Sequence, residues 1–223
     1  MRKDRLIFTI LLLISCKAAP KPEIVYDNHF EILNGKVKQI AEITKKRYAI
    51  DTVIADFDVH GNITQTNTKH DCDCLVKFAY KYDKNGKPTQ ATTMHGLFPH
   101  VYKYDKNGRV TEISQYTKEL REHSDYITKQ DKFFYKYDDA GYLIKCDRYL
   151  DTSHRFSEWF RYNDQHFLIE MDAFSGAGYL DEKKIYKYQA IDAKGNWLKR
   201  TVSINMDNKL FETDTNTRKI TYY

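Results

Sequence analysis

Possible metal ligands are concentrated in one short segment, His70-Asp71-Cys72-Asp73-Cys74. Zinc sites normally combine two pairs of closely spaced Cys or His ligands, and the sequence offers no second pair beside Cys72 and Cys74. In an oxidising compartment the thiols can form a disulfide instead of binding a metal. We therefore expect one disulfide, between Cys146 and either Cys72 or Cys74, with free thiols or a metal site as the alternatives. No metal and no other cofactor is predicted.

Catalytic groups occur only in arrangements that do not indicate catalysis. His123-Ser124-Asp125 contains the three residue types of a hydrolytic triad, but residues adjacent in the chain do not make that geometry. Paired carboxylates such as Asp138-Asp139 stand in turn positions, where Asp is expected for backbone reasons. Phosphate-loop, dinucleotide and zincin motifs are absent from the sequence. We predict no catalytic residue and no enzyme activity.

The N-terminus has the pattern of a targeting segment. Arg2, Lys3 and Arg5 precede the apolar run 6–14, which is too short for a permanent transmembrane helix. The run ends in Leu13-Ile14-Ser15-Cys16, which resembles a bacterial lipobox. The sequence thus predicts a signal peptide at 1–15, a tether at 16–23 lipidated on Cys16, and one domain at 24–223. An ordinary secreted protein is the alternative.

A tyrosine-rich motif recurs along the chain and indicates its architecture. Tyr80-Lys81-Tyr82-Asp83-Lys84-Asn85-Gly86 returns almost unchanged at 102–108 and, with substitutions, at 135–141. Weaker copies begin near residues 56, 160 and 186. Alternating tyrosines suit a strand with two unlike faces, and Asp-x-Asn-Gly suits a tight turn. Each unit therefore predicts a β-hairpin, and the series predicts an all-β antiparallel meander forming a curved or partly rolled sheet.

The residue between the two aromatic positions is basic in five copies. Period-two geometry places it on the face opposite its neighbours, so stacked units would form a basic stripe that could bind anions. A solvated face with ion pairs is the alternative. Half of the 18 tyrosines lie in the motif, which favours packing over a ligand groove, although some could line one. The predicted stripe consists of Lys81, Lys103, Lys136, Arg161 and Lys187.

The repeat resembles the YD repeat of the Rhs family, and Tyr102 to Val110 is the best match to its pattern. In large members such repeats build a β-sheet shell around a toxin cargo. This chain is too small to enclose another domain, so that function is not transferred. Its layout is similar to small repeat-bearing lipoproteins of Bacteroidetes.

These observations predict an outer-membrane lipoprotein of the cell envelope that acts as a binding or scaffold protein. Its partners would be the membrane, through the lipid, and a glycan, an anionic envelope component or an envelope protein. With a formal net charge of +5 over 223 residues, nucleic-acid binding is not expected. Two other classes stay open: a hydrolase of envelope polymers that uses loop carboxylates, and a component of an interbacterial toxin or immunity system.

Overall fold

The computed structural model describes residues 33–69, 73–93, 100–119, 127–207 and 209–223. The predicted signal peptide, Cys16 and the tether lie outside these residues. The described chain forms fourteen antiparallel strands in sequence order. They are β1 (Val37–Lys45), β2 (Ile50–Phe57), β3 (Ile63–Lys69), β4 (Asp73–Tyr82), β5 (Pro88–Thr93), β6 (His100–Tyr104), β7 (Val110–Glu119), β8 (Ile127–Tyr137), β9 (Leu143–Leu150), β10 (Ser153–Tyr162), β11 (Leu168–Ser175), β12 (Leu180–Ile191), β13 (Trp197–Met206) and β14 (Lys209–Tyr222).

The predicted meander of hairpins is confirmed, but the prediction of a curved or partly rolled sheet is wrong. The sheet is a closed barrel, because β14 pairs with β1 from Val37↔Tyr222 to Lys45↔Thr215. Successive hairpins are staggered by two residues. Lys81 on β4 pairs with Gln90 on β5, and Gln90 pairs with Val101 on β6. The motif residue of β6 that corresponds to Lys81 is Lys103, two residues after Val101. Repeated stagger tilts the strands and allows the last edge to meet the first.

The motif turns form in the way that their residue types predict. In the turn at 105–109, Asp105 Oδ1 accepts hydrogen bonds from the backbone N–H groups of Asn107 and Arg109, both at 2.9 Å. Gly108 has a φ of 81°, in the left-handed region that glycine tolerates without strain. His166, which replaces glycine in its copy, adopts a φ of 65° there. Six turns of this design occupy one end of the barrel, here called the turn rim: 58–62, 83–87, 105–109, 138–142, 163–167 and 192–196.

Tyrosine hydroxyls join each hairpin to the one before it. The ladder shifts register just after the turn, as where Tyr104 pairs with Val110. The hydroxyl of Tyr137 on the next hairpin donates to the Val110 carbonyl at 2.8 Å. A bulge disrupts the ladder locally, and the buried carbonyl beside it needs another donor. The tyrosine hydroxyl is that donor. Equivalent bonds run from Tyr80 to Ile63, from Tyr104 to Pro88, from Tyr162 to Leu143 and from Tyr188 to Leu168.

The seam between β14 and β1 has its own polar lock. Asn196, 3% exposed, accepts from the Asn34 backbone N–H at 2.7 Å and donates to the Asn34 carbonyl at 2.8 Å. Its amide also donates to the hydroxyl of Tyr222 at 2.7 Å. One side chain of the last motif turn therefore holds the chain segment that enters β1 and the end of β14.

The inner face of the barrel carries two groups of buried apolar side chains. One belongs to β1–β3, around Ile40, Ala55 and Phe57. The larger one belongs to β5–β11 and includes Tyr102 and Tyr135. Core packing is therefore the role of much of the tyrosine excess. The larger group consists of Ala91, Tyr102, Val110, Tyr135, Leu143, Cys146, Phe160, Leu168 and Met171.

Candidate functional site

The lumen contains a cavity of about 530 Å³ that opens away from the turn rim. Its deep wall is apolar core, since Phe160, Leu168 and Met171 belong to the larger buried group and also line the cavity. Its mouth lies beside the loop after β1 and the β13–β14 connection, where Met206 and Phe211 are 39% and 64% exposed. A cavity of this size matches a small-molecule ligand.

Charged side chains line this cavity, here called the luminal cavity, and carboxylates predominate. Two of the basic groups have acidic partners: Lys46 Nζ lies 2.6 Å from Asp51 and Lys184 Nζ lies 2.8 Å from Glu182. The hydrogen bond to Asp51 raises the pKa of Lys46. The lining carboxylates are Glu42, Asp51, Glu158, Glu182, Glu212 and Asp214, and the lining cations are Lys46, Lys184 and Arg200.

A network of polar and aromatic side chains crosses the inner face of β1, β13 and β14. Glu42 accepts hydrogen bonds from Asn216 Nδ2 at 2.8 Å and from Arg218 Nε at 2.7 Å. The Trp197 ring lies between two guanidinium groups, with Arg218 at 3.7 Å and Arg200 at 4.0 Å from its centroid. Such contacts favour a fixed arrangement of the cavity wall, because guanidinium stacks on aromatic faces.

Asp214 is the most unusual carboxylate of the luminal cavity. It is 6% exposed, and its Oδ1 has no hydrogen-bond partner among the described residues. Burial raises the pKa of Asp214, and the neighbouring Glu212 carboxylate raises it further. A buried carboxylate without a donor is costly. Perturbed groups of this kind are enriched at functional sites.

The residues of the predicted basic stripe are all exposed on the outer face of the barrel. They lie on alternate strands, so neighbours are at least about 10 Å apart. Lys103 Nζ donates to Glu112 at 2.7 Å, and Arg161 contacts Asp172 at 2.8 Å and also Glu170. Lys81, Lys136 and Lys187 are exposed as well. The stripe as an anion site stays a prediction.

The predicted disulfide of Cys146 is wrong. Cys146 is a free thiol, 1% exposed, on the inner face of β9. Cys74, on β4, is disulfide-bonded, whereas Cys72 lies outside the described residues. Strands β4 and β9 are five positions apart around the barrel, far beyond the roughly 7 Å between Cα atoms that a disulfide spans. Among the described residues, no group of three or more His, Cys, Asp or Glu side chains could hold a metal ion.

One cluster on the outer face contains Ser, His and Asp side chains. His154 Nε2 lies 3.0 Å from Ser157 Oγ, and Ser157 donates to Asp147. In a catalytic triad the histidine stands between the two other groups, whereas here the serine does. Burial alone would raise the pKa of Asp147, but hydrogen bonds from Ser157 and Lys145 hold it below its usual value. The cluster is therefore a hydrogen-bonded surface network and not a triad.

Sequence reasoning missed the luminal cavity, although β14 carries a signal of it. Its residues Glu212, Asp214, Asn216 and Arg218 alternate with threonines. Both faces of this strand are therefore polar, where a barrel wall would be expected to present one apolar face. A strand with a polar inner face indicates a polar lumen beside it.

The fold and the site define a closed antiparallel barrel of YD-type hairpins with a polar luminal cavity at one end. The profile of the Teneurin YD-shell family matches residues 27–192. The chain belongs to this family. The sequence-based resemblance to YD repeats is thereby confirmed.

Several solved structures resemble this chain at low sequence identity, with TM-scores below 0.5. A porin-like protein from Bacteroides uniformis is 10% identical, with a TM-score of 0.47 and coverage of 85% of this chain and 99% of that one. The Tc holotoxin pore of Photorhabdus luminescens is 15% identical, with a TM-score of 0.37 and coverage of 74% of this chain and 9% of that one. A LolA superfamily protein from Nitrosomonas europaea is 8% identical, with a TM-score of 0.33 and coverage of 85% and 86%. No curated protein matches significantly.

Proposed function

We propose that this protein is a binding module that holds a small ligand in its luminal cavity. The supporting observation is the uneven filling of the lumen. Packed tyrosines and aliphatic side chains fill the β5–β11 part, whereas a cavity of about 530 Å³ lies among β1, β2 and β10–β14. Interiors are normally packed without voids of this size, and cavities with an apolar wall and a few polar groups are the usual form of ligand sites.

Blocking the cavity tests this proposal directly. Ile204 lines the luminal cavity, and Ser203, its neighbour on β13, points to the opposite face. The probe is N-phenyl-1-naphthylamine, a neutral fluorophore whose emission rises in apolar surroundings. We expect fluorescence enhancement with the wild-type chain and with Ser203→Trp, and loss of enhancement with Ile204→Trp. Equal binding by the two variants would show that the probe binds outside the lumen, and it would count against the proposal, as would absence of binding by the wild-type chain.

We further propose that the module is tethered in the bacterial cell envelope through a lipid on Cys16. The supporting observation is the lipobox-like Leu13-Ile14-Ser15-Cys16 after a short apolar run. Two or more acyl chains anchor a protein stably, because each buried methylene contributes roughly 0.8 kcal/mol. Cys16→Ala should abolish palmitate labelling, whereas Cys146→Ala should not. Among the described residues no helix is long and apolar enough to cross a membrane.

Family membership favours a second candidate, a component of a toxin or immunity system. The match to the YD-shell profile over residues 27–192 supports it. The luminal cavity is far too small for a folded toxin domain, so such a role would use an outer surface or a small ligand. A deletion strain competed against toxin-producing neighbours tests this candidate. Unchanged survival relative to the parent strain would exclude a protective role.

The hydrolase alternative has less support, because the loop carboxylates have structural roles. Burial alone would raise the pKa of Asp105, but hydrogen bonds from the backbone and side chain of Arg109 lower it below its usual value. A general acid needs a raised pKa instead. Turnover of purified envelope polymers by the wild-type chain, lost in Asp105→Asn, would restore this alternative.

A further inference from the structure

Two buried oxygen atoms in the luminal cavity lack a hydrogen-bond donor. Among the described residues, no partner reaches Asp214 Oδ1 or Asn216 Oδ1, and their side chains belong to residues only 6% and 7% exposed. The orientation of the Asn216 amide is set by Glu42, which accepts from its Nδ2 at 2.8 Å. Both residues line the cavity from the same face of β14. Since both oxygens are acceptors, a ligand that satisfies them must donate hydrogen bonds.

The charge of the cavity selects among donors. Six carboxylates and three basic groups line it. Lys46 and Lys184 are paired with acids on the same wall. Burial and repulsion from the Glu212 carboxylate raise the pKa of Asp214, although Lys46 and Lys184 act in the opposite direction. An anionic ligand would add to this repulsion, whereas a cation would relieve it.

The apolar wall defines the rest of the ligand. Asp214 lies level with Val202 on β13 and with Tyr186 on β12. The buried side chains of Phe160 and Met171 line the same cavity. A hydrocarbon body placed against this wall would be removed from water, which is the main source of affinity in cavities of this kind.

We infer that the luminal cavity takes an organic cation, with a protonated amine that donates to Asp214 Oδ1 and Asn216 Oδ1 and an apolar body against Phe160 and Met171. This inference rests on the proposed binding function and names its ligand class. The amine must carry N–H groups, because a quaternary ammonium cannot donate. Octylammonium is thus the preferred ligand over octanoate, octanol and octyltrimethylammonium, which share its chain length.

Titration calorimetry on the full chain tests the inference by measuring the affinity for each of these four probes. We expect octylammonium to bind at least about tenfold more tightly than each of the others, the difference that one charge-assisted hydrogen bond supplies. Asp214→Asn should weaken octylammonium binding by a similar factor, whereas Asp181→Asn should not. Asp181 lies on β12 beside Glu182 but is exposed and absent from the cavity wall. Asn216→Leu is the second variant, because it removes the Asn216 Oδ1 acceptor, whereas Asp214→Asn removes the negative charge and keeps an amide oxygen.

The possible outcomes separate the inference from the function on which it rests. Binding of N-phenyl-1-naphthylamine with no preference for octylammonium would overturn the cation inference and leave the binding function standing. A preference for octylammonium that persists unchanged in both Asp214→Asn and Asn216→Leu would overturn the assignment of the two acceptors. Absence of binding by every probe would overturn the binding function itself.

Discussion

Replacing Tyr137 by Phe tests the hydrogen bond that joins neighbouring hairpins. The Tyr137 hydroxyl donates to the Val110 carbonyl at 2.8 Å, next to the register shift where Tyr104 pairs with Val110. Val110 is fully buried, with 0% exposure, so water cannot replace the lost donor. Burial raises the pKa of Tyr137, which keeps the hydroxyl protonated and able to donate throughout the neutral range.

The expected cost follows from leaving a buried carbonyl without a donor. Such groups cost about 1–3 kcal/mol. For a chain of this size, each kcal/mol lowers Tm by roughly 2–4 °C, so the variant should melt roughly 2–12 °C below the wild-type chain. The ring itself is retained, and packing of the aromatic face should change little.

Chemical denaturation followed by circular dichroism measures this difference in the free energy of unfolding. Tyr82→Phe is the matched control, because Tyr82 is 42% exposed and its hydroxyl donates to the Asp58 carboxylate. Exposed partners can be resolvated, so the control should change stability by less than about 0.5 kcal/mol. Equal values for the two variants, or no loss in Tyr137→Phe, would show that the strand ladder already satisfies the Val110 carbonyl. The role assigned to the repeated tyrosine would then be refuted.

Three further predictions concern the turns, the thiol and the luminal cavity. Gly86→Ala should cost about 1–2 kcal/mol, because φ is 78° although no atom lies within 4 Å of a Cβ there. Gly176→Ala should cost at least as much in the same unfolding assay, because its Cβ would clash with the backbone carbonyl oxygen of His154. Cys146 should resist maleimide in the native protein and react after unfolding, since burial raises its pKa; rapid native labelling in mass spectrometry would contradict its burial. The folded-state pKa of Asp214 is raised, so the stability linked to its protonated form is present in acid and lost as pH rises through that pKa. Asp214→Asn should therefore raise Tm relative to wild type at pH 7 but not at pH 3, and an equal difference at both pH values would contradict the assignment.

Local features of the sequence predicted most of the hairpins correctly. Asp-x-Asn-Gly predicts a turn and the alternating tyrosines predict a strand, each from a few neighbouring residues. The turn at 105–109 forms with the hydrogen bonds expected of Asp105. The stretch 117–130 has no clear strand pattern in the sequence, yet its described parts belong to β7 and β8. Its polar composition concealed the strand pattern, because neither face is distinctly apolar.

Long-range features were predicted less well. Cys146 was expected in a disulfide, yet its place on the inner face of β9 follows from the register of the barrel, which spacing along the chain does not reveal. The carboxylate of Asp214 gave no chemical signal by itself. Its importance comes from burial beside Glu212 and from the lack of a donor among the described residues.

The sequence by itself determined the class of the fold: strands of period two, turns closed by Asp and Gly, and a repeat that names the family. These properties depend on neighbours in the chain, so they can be read from short segments. Only the tertiary structure decided that the sheet closes and that its lumen is filled unevenly. Closure depends on stagger accumulated over fourteen strands and on pairing of β1 with β14. The luminal cavity exists because that closure brings β2 and β10 to opposite sides of one space, a relation that the order of residues does not contain.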